Sequence, residues 1–195
     1  MEGDNILEIT ALNELDAVNQ IIGTIGESPV NSLENLANVD AINALRILRN
    51  VSRQEQARGW SFNIIPSHTL NPDQYNGKIR WNSSFLSLKG LNGEKLVRFG
   101  DFVKDLANNK IVFTSSITAE AILYIPFEEL PEQMRSYIVA KSSYIFQASY
   151  FGDDSLTKVI QTQIQDTWQQ LMEFELENND YSILNNEVVK ELLSR

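Results

Sequence analysis

The sequence predicts an α+β fold: a four-helix bundle with an inserted antiparallel β meander and an extended C-terminal tail. Three observations lead to this prediction. Apolar residues recur at helical spacing before residue 63 and again from 128 to 179. Between them, from 64 to 127, β-branched and aromatic residues come in short runs separated by turn residues. Residues 180–195 carry scattered apolar positions and are predicted to form the tail. We therefore expect a helical domain (1–63 with 128–179), a β insertion (64–127) and the tail.

Two amphipathic helices are predicted near the N-terminus. In residues 10–25, apolar side chains recur at spacings of three and four, which places them on one helix face: Ala11, Leu15, Val18, Ile22 and Ile25. Thr10 is the expected N-cap and Gly26 the expected stop. A second helix is predicted over residues 38–58, with Gly59 in the C′ position. Its apolar face comprises Ala41, Ala44, Leu45, Leu48 and Val51.

The middle of the chain is predicted to form four or five antiparallel strands. The dipeptide Asn92-Gly93 favours a type I′ turn, because both residues accept positive φ, so a hairpin is predicted over residues 85–99. A second turn is expected at Asn108-Asn109. Residues 117–125 show apolar alternation and predict a longer strand.

Helical patterns return at Pro131, a residue that suits the first helical position. The third helix is predicted to end at Gly152, with an apolar stripe of Tyr137, Ala140, Tyr144, Ala148 and Phe151. The fourth is predicted to end near Asn178-Asn179. Its apolar face comprises Val159 or Ile160 with Ile164, Trp168, Leu171 and Met172. We expect Trp60, Phe62 and Trp168 in the core.

Composition excludes several classes of site. The chain has no cysteine, so disulfides, thiolate zinc sites and cysteine nucleophiles are excluded. The net charge of −10 argues against sequence-independent binding to nucleic acid, because such binding needs a basic surface. An acidic surface would instead let DNA slide through a conduit. The acidic N-terminus argues against a signal peptide, and the longest apolar stretch, residues 121–127, is too short to span a bilayer. We expect a soluble protein made in the cytoplasm.

Candidate catalytic groups have simpler explanations. His68 is the one histidine and is expected in a solvated loop, although a Ser-His-Asp triad would have to use it. Glu128, Glu129 and Glu132 precede the third helix, and Asp153-Asp154 precede the fourth. Glycoside hydrolysis would need such a carboxylate pair, but acidic residues at helix starts also cap free amides and favour the helix dipole. We predict no catalytic, cofactor-binding or metal-binding residue.

Two stretches carry residue patterns of one known family. The first includes Val18-Asn19, Ile25-Gly26-Glu27-Ser28-Pro29-Val30 and Arg53-Gln54, Gln56, Arg58-Gly59-Trp60, Phe62-Asn63. The second includes Pro131-Glu132, Arg135, Ile138-Val139, Lys141 and Phe151-Gly152. On these residues the chain resembles the tail tubular protein A family of short-tailed, podovirus-type bacteriophages. The resemblance is dense in residues 15–63 and 130–152 and thin across 64–125.

The resemblance implies a structural head-to-tail adaptor of the virion tail, made in the host cytoplasm. Such proteins form a twelve-subunit ring below the portal protein. The ring continues the DNA ejection channel, receives the nozzle (tail tubular protein B) and helps anchor the tail fibre. DNA then passes without specific binding, no direct membrane insertion is involved, and the helical domain is the expected ring former. No catalytic residue or cofactor is implied.

Candidate interface residues follow from arginine enrichment at protein interfaces, from the predicted hairpin and from the apolar positions of the tail, and a solvated helix face is the alternative for the arginines. They lie on the second helix, in the predicted hairpin turn and in the tail: Arg46, Arg49, Arg53, Arg58, Asn92, Gly93, Tyr181, Leu184 and Leu192. Two alternatives remain at this level. One is a virion-associated glycan hydrolase that uses a carboxylate pair, and the other is a monomeric DNA-binding adaptor.

Overall fold

The computed structural model describes residues 11–150, 152 and 154–184. Within them, four α-helices and five antiparallel β-strands confirm the predicted α+β fold. The helices are α1 (Glu14–Gly23), α2 (Val39–Gln56), α3 (Glu132–Tyr150) and α4 (Asp154–Leu184). The strands are β1 (Ile64–Leu70), β2 (Phe85–Gly90), β3 (Leu96–Phe99), β4 (Phe102–Asp105) and β5 (Ile117–Leu123), and a short 3-10 helix spans Phe127–Glu129.

The chain divides into two compact units. The helical unit comprises Met1–Ser52 and Pro126–Leu176, and the β unit comprises Arg53–Ile125 and Glu177–Arg195. The chain passes from one unit to the other at three points: inside α2 after Ser52, beyond β5 after Ile125, and inside α4 after Leu176. The predicted domain limits at residues 63 and 127 stay a prediction.

Helix α1 begins later than predicted. Asn13 is its N-cap, and the Asn13 Oδ1 accepts a hydrogen bond from the Asp16 N–H at 2.8 Å. Asn is a strong N-cap because its short side chain reaches a free amide of the first turn. Thr10, the predicted cap, lies outside the described residues. The buried face, Ala17, Val18, Ile21 and Ile22, is rotated from the predicted one, because Ala11 is exposed and Leu15 is half-buried.

The loop after α1 is tied back to that helix. Asn19 Oδ1 accepts from the Val30 N–H at 2.8 Å, and Asn19 Nδ2 donates to the Val30 carbonyl at 3.0 Å. The Asn19 side chain therefore binds both backbone polar groups of Val30, as a neighbouring β-strand would. Gly26, with φ of 80°, turns the chain as predicted.

Helix α3 is buried on most of its circumference rather than along one stripe. Phe146 and Gln147 are fully buried, whereas Ala148 of the predicted stripe is exposed. The burial has partners on both sides: Arg135 donates to the Leu12 carbonyl, and the Tyr137 ring lies 5.1 Å from the Trp168 ring of α4. A helix packed on several sides loses the one-sided pattern from which a stripe is predicted.

Helix α4 continues past its predicted end at residues 178–179 and reaches Leu184. Ile160, rather than Val159, is the buried member of the alternative left open by the sequence. Among the described residues, no helix is both long and apolar enough to cross a bilayer.

The strands do not follow the sequential order of a meander. β5 is central in a three-stranded sheet of order β1-β5-β2, and β3 pairs with β4 in a separate two-stranded sheet. Their shared core contains the buried residues Leu70, Ile79, Phe85, Leu88, Leu96, Val103, Ile117, Ala119 and Ala121. β5 is central because every second residue from Ile117 to Ala121 is small or apolar and faces this core.

The predicted hairpin over residues 85–99 is therefore wrong. β2 pairs with β5, β3 pairs with β4, and the segment at Asn92-Gly93 links two different sheets. Gly93 has a φ of 93°, but Asn92 does not have a positive φ, so the turn is not type I′. The second predicted turn, at Asn108-Asn109, is present and is closed by a bridge between Asp105 and Lys110.

A buried pair of amide side chains, Gln56 and Asn63, joins the end of α2 to the end of β5 within the β unit. Gln56 Oε1 accepts from the Ile125 N–H at 2.7 Å, and Gln56 Nε2 donates to the Ile125 carbonyl at 3.0 Å. Asn63 Nδ2 donates to the carbonyls of Gln56 and Leu123, and its Oδ1 accepts from the Trp60 N–H. We call Gln56 and Asn63 the polar clamp.

Candidate interaction surfaces

The predicted arginine face of α2 is exposed, but part of it is already paired. Arg49 binds Glu14 through two hydrogen bonds of 2.9 and 2.8 Å, a bidentate contact that fastens the start of α1 to α2. Arg46 is looser: its Nη2 lies 3.5 Å from both Asn43 Oδ1 and Tyr150 Oη. In the helical unit, Arg46 is therefore the arginine of the two that is better placed to reach a partner.

Arg53 and Arg58 belong to the β unit. Arg58 Nη1 lies 3.3 Å from the carboxylate of Glu55, whose side chain is buried. Arg53 is exposed and lines an open groove together with Trp81 and residues of β2 and β3. The four arginines thus do not form one uniform surface, because two of them are held by carboxylates of the same chain.

The other predicted interface positions lie away from the arginines of α2. Asn92 and Gly93 are exposed in the link between β2 and β3. Tyr181 and Leu184 lie in the last turns of α4 rather than in a separate tail. Leu192 lies outside the described residues.

The acidic cluster before α3 binds main chain and arginine. Glu128 Oε1 accepts from the Glu14 N–H at 3.3 Å, and the Glu132 carboxylate lies 2.8 Å from Arg135 Nη2. Arg135 is buried and also donates to the Leu12 carbonyl at 2.8 Å. These contacts join the starts of α1 and α3, a structural use that agrees with the capping interpretation. Of the second cluster, Asp153 lies outside the described residues.

His68 is not in a solvated loop. It lies in β1, opposite Ala119 of β5, and its half-buried ring packs edge-on against Phe85 at 5.5 Å. The sequence missed this strand because Pro66 and Ser67 suggest a loop, and the register shift between Ile65 and His68 accommodates them. Within the described part of the chain, no cluster of histidine or carboxylate side chains is arranged to hold a metal ion.

Asp105 is a buried carboxylate with a structural role. Its Oδ2 accepts from the Asn108 side chain at 2.7 Å, and its Oδ1 accepts from the Lys95 and Ala107 N–H groups at 3.0 Å each. The hydrogen bond from the Asn108 side chain, together with backbone hydrogen bonds from Lys95, Ala107 and Asn108, outweighs the opposing effect of burial and lowers the pKa of Asp105 below its ordinary value. Asp105 therefore stays ionised at neutral pH and organises the turn after β4.

Sequence reasoning missed four exposed apolar side chains on the helical unit. Val39 and Ile42 of α2 are 67% and 44% exposed, and Val159 and Leu176 of α4 are 65% and 63% exposed. Their helical positions indicate exposure, because each lies outside the apolar face that its helix buries. Large exposed aliphatic side chains on the outer faces of two helices are candidates for contact with another protein.

Comparison with known proteins identifies the family. A family model described as tail tubular protein matches residues 15–181, which include most of both units. Tail tubular protein A of Klebsiella phage KP34 is 26% identical over 144 residues, which cover 74% of this chain and 76% of that protein. The chain therefore belongs to the tail tubular protein A family and is a structural component of a phage tail.

Proposed function

We propose that the protein is the head-to-tail adaptor of a short phage tail: a ring, of twelve subunits, that lies between the portal protein and the nozzle and continues the DNA ejection channel. Membership of the tail tubular protein family over residues 15–181 is the observation that carries this proposal. The adaptor acts by assembly rather than by catalysis. In support, Glu128 and Glu132 bind main chain and Arg135 in the described structure.

The helical unit is the ring-forming part in this proposal. Its core is already filled by residues such as Ile21, Leu48, Ile138, Phe146 and Leu171. The exposed residues of α2 and α4 are therefore surplus to the fold of one subunit and available to a neighbour. Burial of an exposed valine or leucine side chain contributes roughly 1.5–3 kcal/mol, so a few such residues per interface favour assembly.

The β unit is the proposed contact for the nozzle and the tail fibre. Its exposed segments include the Asn92-Gly93 link and the groove lined by Arg53. The C-terminal residues, with Tyr181, Leu184 and Leu192, are proposed to dock on the portal or on a neighbouring subunit. Segments that dock in this way gain affinity by burying isolated apolar positions.

The acidic character of the chain suits a DNA conduit. A net charge of −10 repels phosphate, so DNA would slide through the channel without specific binding. If the protein were instead a DNA-binding adaptor, a titration at low salt would detect affinity that weakens as salt rises. We expect no binding at low salt.

Electron microscopy of the full chain, alone and with its portal protein, tests the proposal. Rings, in the free protein or on the portal, are the expected result, and image symmetry gives the number of subunits. Monomers in both samples would overturn the adaptor proposal.

A further inference from the structure

Two outward helix faces of the helical unit carry charges of opposite sign. On α2, Val39, Ile42, Arg46 and Arg49 follow one another at spacings of three and four residues, and all four are exposed. On α4, Val159, Asp166 and Glu173 follow one another at spacings of seven residues, and all three are exposed. We call these the α2 face and the α4 face.

The spacings on the two faces match. Seven residues are about two turns of an α-helix and rise by roughly 10.5 Å. On the α2 face, Val39 is followed seven residues later by Arg46, and on the α4 face, Val159 is followed seven residues later by Asp166. If the two faces met with their helices parallel, Val39 would lie level with Val159, and two turns further along Arg46 would lie level with Asp166.

Four side chains on these faces have few contacts inside their own subunit, whereas Arg49 is bound to Glu14 and Glu173 accepts a hydrogen bond from Gln169. Within the described part of the chain, the Asp166 carboxylate makes no ion pair or hydrogen bond. The shortest polar contacts of the Arg46 guanidinium are those at 3.5 Å to Asn43 and Tyr150. Val39 and Val159 are each about two-thirds exposed, at 67% and 65%. All four side chains are therefore available to a second copy.

We propose that the α2 face of one copy binds the α4 face of the next copy and that this contact joins neighbouring subunits of the ring. The inference rests on the proposed ring and names the contact that builds it. A contact between two different faces is head-to-tail, and such contacts repeat from copy to copy and form a ring when the rotation between copies closes. Two α2 faces brought together would bring no carboxylate of the α4 face to Arg46.

Charge complementarity also explains how strongly acidic copies associate. Copies with a net charge of −10 repel one another at long range. Arg46 supplies a local positive charge opposite the acidic α4 face, which sets the orientation of the contact and suppresses alternative pairings. The side chains of Val39, Ile42 and Val159 then contribute most of the buried apolar area.

Charge reversal tests the contact. The single variants Arg46→Glu and Asp166→Arg each place like charges opposite one another at every interface, so ring yield should fall by about tenfold or more. The double variant R46E/D166R restores opposite charges and should recover rings. A mixture of the two single variants should also assemble, because each can bind the other in alternation around a ring of even number. Ring yield is measured by electron microscopy and sedimentation, with and without the portal.

Controls separate this contact from loss of fold and from failure of the ring proposal. Arg80→Glu makes the same change of charge at an exposed position of the β unit and should leave ring yield unchanged. Circular dichroism and thermal unfolding check that every variant folds. Rings at wild-type yield in both single variants would overturn the pairing. It would also be overturned if the single variants fold but rings return neither in the double variant nor in the mixture of the two single variants. If the wild-type protein forms no ring at all, the proposed function itself fails.

Discussion

Gln56 of the polar clamp should be among the most sensitive positions of the β unit. Its side chain is fully buried and satisfies both backbone groups of Ile125. Replacement by alanine removes both hydrogen bonds and leaves a donor and an acceptor without their partners. An unsatisfied buried group costs roughly 1–3 kcal/mol, and Ile125 is only half-buried, so water offsets part of the loss. We expect Gln56→Ala to lower the free energy of unfolding by about 2–4 kcal/mol.

Gln56→Glu should be sensitive to pH. One carboxylate oxygen can still accept from the Ile125 N–H, but the other faces the Ile125 carbonyl, which only a protonated carboxyl can satisfy. The folded protein therefore raises the pKa of the introduced carboxyl above its unfolded value of about 4.3. Below that value the variant should approach the wild type in stability. The deficit should grow as pH rises towards the folded-state pKa and level off beyond it.

Urea unfolding followed by tryptophan fluorescence measures both effects, since Trp60 lies beside the clamp and donates to the Glu55 carbonyl. The matched control is Gln54→Ala, an exposed position on the same helix, which should change stability by less than about 0.5 kcal/mol. An equal, small effect of both alanine variants would refute the role of the clamp. A Gln56→Glu deficit that is the same at pH 4 and pH 8 would refute the hydrogen-bond assignment.

Three further predictions concern a glycine, a carboxylate and the C-terminus. Gly59→Ala should lower the free energy of unfolding by about 1–2 kcal/mol, because the Gly59 φ is 80° and the new Cβ would lie 3.0 Å from Ile122 Cδ1. An unchanged midpoint in chemical denaturation would contradict this strain. Asp105→Ala should cost about 1–3 kcal/mol at pH 7, since three donors lose their acceptor. Because the folded state lowers the pKa of Asp105, its ionised form stabilises the protein above the unfolded pKa of about 3.9. The difference in free energy of unfolding between the wild type and Asp105→Ala should therefore shrink as pH falls through the folded pKa of Asp105. A difference that does not change with pH would argue against an ionised Asp105. Deletion of residues 181–195 should abolish portal binding in a pull-down while the circular dichroism spectrum stays folded; unchanged binding would remove the docking proposal for this segment.

The candidate interface could be predicted only in part. The arginines of α2 were found because a 3.6-residue period shows which positions face outward. Sequence alone could not show that Arg49 binds Glu14, 35 residues away. It also could not choose between Val159 and Ile160, which are neighbours in the chain with similar side chains. That choice depends on which side of α4 meets another helix, and the structure buries Ile160.

The sequence by itself determined the α+β class, the four helices, the ends marked by Gly26 and Gly59, and the family resemblance. These features are encoded locally, in the period of apolar residues and in glycines that adopt positive φ. Only the tertiary structure decided that β5 lies between β1 and β2, that Asn92-Gly93 links two sheets, and that Gln56 binds Ile125. A strand pattern shows which face a residue occupies, but it does not name the partner strand. In this fold the partner of Ile64 is Ile122, and their pairing is set by the packing of the whole β unit.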